Sequence, residues 1–295
     1  MTELTGILSA MSTAFTADGS EVDEARLREL TEHTIKAGVH GLVPAGSTGE
    51  FAAMSGVERR KVVEVVLDQA AGRVPVVPGV GAMTTREAVS LAKHAEAAGA
   101  AAVLAVAPYY EPLDLTETKR YFYDVAGAIS IPVVVYNLPV ATGVNLAPDD
   151  IREMATTCEN ISYVKDTTGD LTQATRLINH HSDVVKTFVG WDTLLLSSLV
   201  EGAPGSIVGG ANVNATQLVA MYDAVQQGHL DEARKIWAAE YPLMSFLVSG
   251  GYVAAVKGAL DLDGRSAGPA RQPIAPLSDE RRNELAQIMG KTTGR

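Results

Sequence analysis

The chain has 295 residues, of which 46% are hydrophobic and 20% are charged, a composition typical of a globular protein with a large core. Its formal net charge of -11 and pI near 5.0 disfavour binding to nucleic acid or to an anionic membrane surface. The single cysteine, Cys158, excludes an internal disulfide and a cysteine-based zinc site, and no apolar signal segment follows Met1. We therefore expect a cytoplasmic protein that has neither a nucleic-acid nor a membrane partner.

Apolar runs alternate with helical patterns from the start of the chain to about residue 228. The predicted strands cover residues 6–13, 39–45, 74–80, 101–107, 131–136, 161–167, 187–190 and 205–209. The predicted helices between them cover residues 23–38, 55–72, 84–99, 121–129, 194–200 and 214–228. Capping residues support several of these helices: Ser55 with Glu58 forms a capping box, Thr84 with Glu87 caps the third helix, and Asn214 caps the last one.

The strands are continuous runs of Val, Ile and Ala, as expected for parallel strands that are covered on both faces. No glycine fingerprint of a dinucleotide-binding fold follows the first strand, so an eight-stranded (β/α) barrel of the α/β class is favoured over an open sheet. After residue 228 only helical patterns occur, through Trp237, Lys257 and Leu285. The sequence thus predicts a catalytic barrel domain at 1–228 and a C-terminal helical domain at 229–295.

Lys165 is out of place in the apolar run 161–167. Burying an ammonium group is costly unless the group is paired or loses its proton, and a neutral buried lysine is a nucleophile suited to Schiff-base chemistry. The alternative interpretation is structural: Lys165 ends a strand and pairs with Asp166 or another carboxylate. This stretch alone does not decide between the two.

In a (β/α) barrel the active site is formed by residues at the carboxyl ends of the strands. The residues at these positions are Ser47, Thr48, Tyr110, Tyr136, Lys165, residues 190–192 and residues 207–210. Tyr136 and Lys165 are on strands that we expect to be adjacent, about 4.8 Å apart. A phenol beside an amine is able to relay protons, and the loop 46–50 offers hydroxyl and backbone N–H donors for a small carboxylate.

Four motifs at these positions occur in an order that resembles a known family. They are GSTGE at 46–50, PYY at 108–110, YNLP at 136–139 and VKDTTGD at 164–170. In this order, separated by βα units, they are similar to those of the dihydrodipicolinate synthase and N-acetylneuraminate lyase family of class I, pyruvate-dependent aldolases. The resemblance covers nearly the whole chain and includes the helical C-terminal segment.

The resemblance implies a role for each matching residue. Lys165 resembles the lysine that forms a Schiff base with a 2-oxo acid, and Tyr136 resembles the tyrosine that relays protons. Ser47 and Thr48 resemble the pair that holds the substrate carboxylate, with Ser47 also linking Tyr136 to Tyr110.

Further implications concern the pocket wall, the assembly and the cofactor. Ile207 would contribute its backbone carbonyl to the pocket. The tyrosine matching Tyr110 is offered to a neighbouring subunit in this family, which implies a homotetramer built as a dimer of dimers. No metal or other cofactor is expected, because the covalent chemistry takes place on Lys165 and the six histidines show no metal-binding spacing.

The aldehyde partner is less clearly defined by the sequence. Dihydrodipicolinate synthases carry an arginine at the position of Ala141 that binds the carboxylate of aspartate semialdehyde, a contact worth about 1.5 to 3 kcal/mol. Thr167, Gly190 and Asp192 match sugar-binding positions of the neuraminate lyases, whereas Thr193 and Gly209 replace a glutamate and a serine.

The combination of GEFAAMS at 49–55, PYY at 108–110 and YNLPVATG at 136–143 most resembles the aldolases of 2-keto-3-deoxy sugar acids. We therefore expect a lyase that cleaves or forms a C–C bond between pyruvate and the aldehyde of such a sugar acid. Three other enzymes stay open: dihydrodipicolinate synthase, N-acetylneuraminate lyase and a dehydratase of related acids. A non-enzymatic alternative is a barrel that binds 2-oxo acids as a sensor or scaffold.

Overall fold

The computed structural model describes residues 3–290. Its strands are β1 Gly6–Ala10, β2 Gly41–Val43, β3 Val103–Val106, β4 Val133–Asn137, β5 Ile161–Asp166, β6 Lys186–Val189 and β7 Gly205–Val208. Its helices are α1 Glu24–Lys36, α2 Gly56–Ala70, α3 Thr85–Ala97, α4 Leu115–Ala126, α5 Pro139–Thr142, α6 Pro148–Thr157, α7 Leu171–His180, α8 Leu195–Val200, α9 Ala215–Gln226, α10 Leu230–Val248, α11 Tyr252–Leu262 and α12 Asp279–Ile288.

All strand pairs are parallel, in the order β2-β1-β7-β6-β5-β4-β3, which confirms the predicted (β/α) barrel. The third predicted strand, 74–80, is irregular. It makes isolated parallel bridges from Val76 to β2 and from Gly79 to β3, and so lies between these two strands in the ring. Pro75 and Pro78 have no backbone N–H to donate, which explains why this segment does not form a continuous ladder.

The barrel strands are buried on both faces, as their unbroken apolar sequences predicted. One face fills the inside of the barrel, and the other packs beneath the surrounding helices. The interior cluster consists of Leu4, Leu8, Ala10, Val43, Val77, Ala102, Leu104, Val106, Val134, Tyr136, Tyr163, Phe188 and Ile207. The barrel is therefore a packed core with a site at one end of it, not an open channel.

One helix start and one helix cap differ from the sequence prediction. Helix α4 begins at Leu115 rather than near residue 121, because Asp114 and Glu117 form a capping box that the sequence analysis overlooked. Asn214 precedes α9 as predicted, but its side chain makes no cap and instead donates to Glu240 Oε2 at 2.6 Å. The helices α5, α6 and α7 were not predicted from the sequence.

After α9 the chain continues with α10, which packs against α9, and with α11 and α12. Side chains of these helices, such as Leu243 and Val256, share a hydrophobic cluster with the barrel residues Ile7 and Leu42. The division into domains at 228/229 stays a prediction, and residues 1–2 and 291–295 of its ranges lie outside the described part of the chain. No helix within residues 3–290 has the length and apolar character needed to cross a membrane.

Candidate active site

Lys165 and Tyr136 lie side by side at the carboxyl ends of their strands. They are direct partners in the parallel pairing of β4 with β5. Lys165 is 5% exposed, and its Nζ lies 4.2 Å from the centre of the Tyr136 ring. The face of an aromatic ring stabilises a cation only modestly compared with a carboxylate. The strand register thus holds an amine against a phenol in a buried position.

Within residues 3–290, no carboxylate oxygen lies within 4.0 Å of Lys165 Nζ, the distance limit for an ion pair. Asp166 points to the other side of the strand, as alternation along a β-strand requires, and its carboxylate accepts hydrogen bonds from Asn137, Gln173 and Thr168. Burial raises the pKa of Asp166 to about 6. Lys165 therefore does not form the ion pair with Asp166 that the structural interpretation expected, and its catalytic role stays a prediction.

The loop after β2 carries Ser47 and Thr48 into the same pocket. Ala45 and Glu50, at its two ends, have left-handed backbone with φ of 54° and 59°, which is unfavourable for residues other than glycine. Strained backbone of this kind persists only where surrounding contacts enforce it. The Thr13 hydroxyl provides one such contact, donating to the carbonyl of Gly49 at 2.7 Å.

A buried ion pair holds the end of this loop. Glu50 Oε1 lies 2.7 Å from Lys257 Nζ on α11, and Glu50 Oε2 accepts a hydrogen bond from the backbone N–H of Arg271 at 2.7 Å. Lys257 also donates to the carbonyl of Pro269. Burial lowers the pKa of Lys257, and the nearby Glu50 carboxylate opposes that effect. The C-terminal segment thus anchors the loop that carries Ser47 and Thr48.

A second polar group lies on the other side of the pocket, after β6. Asp192 is 2% exposed, and its Oδ1 accepts from the backbone N–H of Gly210 at 2.8 Å. Its Oδ2 accepts from the Tyr252 hydroxyl at 2.7 Å, and that hydroxyl accepts from the N–H of Gly209 at 3.0 Å. Burial raises the pKa of both side chains, while the hydrogen bonds from the Tyr252 hydroxyl and the Gly210 N–H oppose this effect for Asp192.

These groups surround one cavity of about 220 Å³. The structure brings together the following predicted site residues along its wall: Ser47, Thr48, Tyr136, Lys165, Thr167, Gly190, Asp192 and Ile207. The Thr167 hydroxyl is buried and has no hydrogen-bond partner in the described chain, which is uncommon for a buried polar group. Gly190 is required by the crowding here, since a Cβ would lie 2.1 Å from Thr167 Oγ1 and 2.4 Å from Lys165 Cε.

Tyr110, to which the resemblance assigns a role, is not part of the cavity wall. It is 81% exposed and follows β3 in a loop. No hydrogen bond joins the Ser47 hydroxyl to Tyr110 or Tyr136 within this chain, so the relay that the resemblance implies is not present in the single chain. The contribution of Tyr110 to a neighbouring subunit's site stays a prediction.

Three residues of the cavity wall were not predicted: Leu138, Val248 and Tyr252. Leu138 closely follows the strand-end residue Tyr136 and could have been included on that ground. Val248 and Tyr252 come from the C-terminal helices, where no strand-end rule applies. The only local signal was the pair Gly250-Gly251, with positive φ at both residues, immediately before an aromatic side chain.

The arrangement can carry out carbonyl chemistry. It combines a buried amine, an adjacent phenol, hydroxyl donors for a carboxylate, and a buried acid on the opposite wall. In the part of the chain that the structure describes, no group of three or more His, Cys, Asp or Glu side chains is placed to hold a metal ion. The expectation that the reaction uses no metal stays a prediction.

Sequence comparison places these features in a family. The sequence model of the dihydrodipicolinate synthetase family matches residues 3–292. The chain is 35% identical over 289 residues to a 4-hydroxy-tetrahydrodipicolinate synthase of Methanopyrus kandleri, covering 98% of this chain and 96% of that protein. It is 37% identical over 283 residues to a Halobacterium salinarum protein named as an uncharacterized DapA-like lyase, covering 96% of this chain and 92% of that protein.

Solved structures agree with the sequence comparison. YagE of E. coli, described as a prophage protein of the dihydrodipicolinic acid synthase family in complex with pyruvate, superposes with a TM-score of 0.93 at 30% identity, covering 98% of both chains. Dihydrodipicolinate synthase of Aquifex aeolicus also superposes with a TM-score of 0.93 at 30% identity, covering 97% of both chains. Fold and sequence thus point to the same group of enzymes.

Proposed function

Because the chain belongs to the dihydrodipicolinate synthetase family of pyruvate-dependent carbon–carbon lyases, we propose that it forms its covalent intermediate on Lys165. One observation carries this proposal. Lys165 is buried beside Tyr136, lines the cavity, and has no carboxylate within ion-pair distance among the described residues. A structural lysine in such a place would be costly, whereas a nucleophilic amine needs this kind of environment.

The first step is imine formation. The neutral amine of Lys165 adds to the C2 carbonyl of a 2-oxo acid, and the resulting carbinolamine loses water to give a protonated imine. Two protons must move during this step, one from the amine and one to the leaving hydroxyl. Tyr136 is the adjacent hydroxyl able to relay them, since it pairs with Lys165 across β4 and β5.

The second step breaks the C–C bond. A base removes the proton of the C4 hydroxyl, the C3–C4 bond breaks, and its electron pair passes through C2 to the imine nitrogen. The aldehyde leaves and an enamine of pyruvate remains on Lys165. Protonation at C3 and hydrolysis of the imine then release pyruvate. In the synthetic direction the same enamine attacks an incoming aldehyde.

The substrate carboxylate is proposed to bind at Ser47 and Thr48. Both line the cavity, and their loop is held in a strained conformation by the Glu50–Lys257 ion pair. Neutral donors are sufficient for this purpose because the protonated imine provides positive charge within the same pocket. The main-chain carbonyl of Ile207, at the end of β7, is proposed to complete this part of the pocket.

The aldehyde part is proposed to be a short polyhydroxy chain, so that the full substrate is a 2-keto-3-deoxy sugar acid. The cavity of about 220 Å³ is smaller than the range of about 300 to 1,000 Å³ that holds drug-sized ligands. The unpaired Thr167 hydroxyl and the second lone pair on each Asp192 oxygen are the groups proposed to bind hydroxyl groups of this chain. No arginine lines the cavity in the described chain, and a second carboxylate on the aldehyde would be repelled by Asp192.

A second candidate is the condensation of pyruvate with aspartate semialdehyde. The observation that favours it is the name of several relatives, among them the 4-hydroxy-tetrahydrodipicolinate synthase of Methanopyrus kandleri. Ala141 is exposed in the short helix α5 and offers no positive charge. At this position the synthases that the chain resembles carry an arginine that binds a carboxylate. We therefore rank this reaction second, and cleavage of N-acetylneuraminate, which needs a longer pocket, third.

The ranking is tested by measuring kcat/KM with 2-keto-3-deoxygluconate, with N-acetylneuraminate, and with pyruvate plus aspartate semialdehyde. We expect the sugar acid to be the best of the three. Ala141→Arg should raise activity with aspartate semialdehyde, by about tenfold or more for a new charge-assisted contact. High activity of the unmodified protein with aspartate semialdehyde would contradict the ranking while leaving the imine chemistry in place.

The active assembly is proposed to be a homotetramer built as a dimer of dimers. Tyr110 is large, apolar and 81% exposed in the single chain, which suggests a surface that another copy covers. Sedimentation velocity should show a tetramer for the unmodified protein and a smaller species for Tyr110→Ala. A monomeric unmodified protein that retained full activity would contradict this proposal.

A further inference from the structure

Tyr252 and Gly209 are in direct contact on the wall of the cavity. Tyr252 is the first residue of α11 and follows the two glycines at 250–251, whose positive φ angles turn the chain. A Cβ at Gly209 would lie 2.3 Å from the Tyr252 hydroxyl and 2.9 Å from the ring atoms Cε1 and Cζ. Any side chain at position 209 would therefore require the whole tyrosine ring to move.

Tyr252 also forms hydrogen bonds with the polar groups on this wall. Its hydroxyl donates to Asp192 Oδ2 and accepts from the N–H of Gly209, while Asp192 Oδ1 accepts from the N–H of Gly210. Both Asp192 oxygens thus already have a partner before substrate binds. A buried hydroxyl with both a donor and an acceptor partner is costly to displace. A substrate chain that extended past Asp192 toward Gly209 would have to break this network.

We propose that Tyr252, accommodated by Gly209, is the specificity-determining residue that limits the length of the aldehyde to three or four carbons. The ring fills the space above Gly209, and the hydroxyl keeps the ring in place through Asp192. The inference rests on the proposed function, since it names which sugar acids the pocket accepts. It predicts that 2-keto-3-deoxy acids of six or seven carbons are substrates and that longer ones are excluded.

The direct test compares aldehydes of increasing length in the aldol direction. Pyruvate is combined with glyceraldehyde, erythrose, arabinose or N-acetylmannosamine, and kcat/KM is measured for the unmodified protein, Tyr252→Ala and Tyr252→Phe. For the unmodified protein we expect activity with the two shorter aldehydes. Tyr252→Ala should raise the ratio of kcat/KM for arabinose to that for glyceraldehyde by about tenfold or more, since filled or vacated pocket space typically changes discrimination by this factor.

The phenylalanine variant separates bulk from hydrogen bonding. Tyr252→Phe keeps the ring above Gly209, so the preference for short aldehydes should persist even if overall activity falls because Asp192 and the N–H of Gly209 lose a partner. Tyr241→Ala, which removes an exposed tyrosine from the neighbouring helix α10, is the matched control and should leave the length preference unchanged.

A reciprocal pair of substitutions tests the contact itself. Gly209→Ser should reduce kcat/KM for glyceraldehyde strongly, because the new Cβ collides with Tyr252. Combining it with Tyr252→Ala should restore part of that activity, so the effects of the two substitutions should not be additive. Additive losses would contradict the proposed pairing.

These measurements distinguish an error in the proposed function from an error in the inference about Tyr252. If the unmodified protein is inactive with every aldehyde, the proposed function is wrong. If it is active with short aldehydes and Tyr252→Ala leaves the length preference unchanged in a folded protein, as judged by circular dichroism, the inference about Tyr252 is wrong and the proposed function stands. Full activity of the unmodified protein with N-acetylmannosamine would also overturn the inference.

Discussion

The two ends of the cavity are built in different ways. The imine end, comprising Ser47, Thr48, Tyr136 and Lys165, comes from residues at the carboxyl ends of barrel strands. The aldehyde end combines Asp192 and Gly209 of the barrel with Val248 and Tyr252 of the C-terminal helices. The imine chemistry of the family requires the residues of the first end. The residues of the second end can differ between family members that act on different substrates. We expect substitutions at the imine end to change rate and those at the aldehyde end to change specificity.

The largest effect is expected at Lys165. Lys165→Ala removes the covalent nucleophile and should lower kcat by a factor on the order of 10⁶, the size of loss seen when other enzymes lose theirs. Steady-state kinetics with the best sugar acid measures it. Lys186→Ala, which removes a partly exposed lysine at the start of β6, is the matched control and should remain active. Substantial turnover by the Lys165 variant would contradict the claim that Lys165 forms the covalent intermediate.

Tyr136→Phe should have the next largest effect. It keeps the ring against Lys165 but removes the hydroxyl, and loss of a general acid–base group typically lowers kcat about 10²- to 10⁴-fold. Borohydride should still trap the pyruvate imine after long incubation. Tyr163→Phe is the matched control, because Tyr163 lies on the same strand as Lys165 and its hydroxyl accepts from the N–H of Leu4 instead. Equal losses in the two variants would argue against a proton relay at Tyr136.

Lys257→Met tests whether the imine end depends on the C-terminal helices. The substitution leaves Glu50 buried without its ion-pair partner, which should cost about 3 to 5 kcal/mol of unfolding free energy. The pyruvate KM should rise while the aldehyde KM changes little, because the loop of Ser47 and Thr48 loses its anchor.

The control for this effect is Lys61→Met, which removes the lysine of an exposed pair with Glu24 and should cost at most about 1 kcal/mol. The double variant Glu50→Gln with Lys257→Met should recover part of the lost stability, since no charge is then left unpaired. Equal changes in both KM values for Lys257→Met would show that the ion pair supports the fold in general rather than the imine end.

The smallest expected effect concerns Asp166 and pH. Burial raises its pKa from 3.8 to about 6, so between these values the folded state holds a proton that the unfolded state has lost. Stability should therefore fall as the pH rises through this window, by about 3 kcal/mol at 1.36 kcal/mol per tenfold change. Asp166→Asn cannot ionise and should lack this decline.

Urea unfolding at pH 4, 5, 6 and 7 measures the effect of Asp166→Asn. The stability of the variant relative to the unmodified protein should improve by about 3 kcal/mol across this range. Glu159→Gln, which removes an exposed carboxylate away from Asp166, is the control for a general charge effect. Parallel pH curves for the unmodified protein and Asp166→Asn would mean that the three hydrogen bonds to Asp166 outweigh its burial.

The barrel was predictable because each strand is a separate local signal. Continuous apolar runs at 103–106, 133–137 and 161–166 identify buried parallel strands, and the strand-end rule then places Lys165 beside Tyr136. The irregular third strand was predicted as a regular one because the apolar pattern of 74–80 outweighed Pro75 and Pro78. The two prolines indicate that the hydrogen-bond ladder is interrupted in this segment, although the segment still lies between β2 and β3 and closes the barrel.

The aldehyde end was not predictable in the same way. Tyr252 reaches the cavity only because α11 packs over the barrel, and such packing depends on contacts distant in sequence, as between Tyr252 and Asp192. The anchoring of Glu50 by Lys257 is a similar case, since more than two hundred residues separate the two. Local patterns indicate which residues end a strand, but not which appended helix will cover them.

The central claim is that Lys165 forms an imine with the pyruvate part of a 2-keto-3-deoxy sugar acid. The most direct measurement is borohydride reduction in the presence of pyruvate or 2-keto-3-deoxygluconate, followed by intact mass analysis and peptide mapping. We predict the same pyruvate-sized adduct on Lys165 from both compounds, because cleavage of the sugar acid leaves pyruvate on the lysine. The absence of any adduct on Lys165 from either compound would contradict the account.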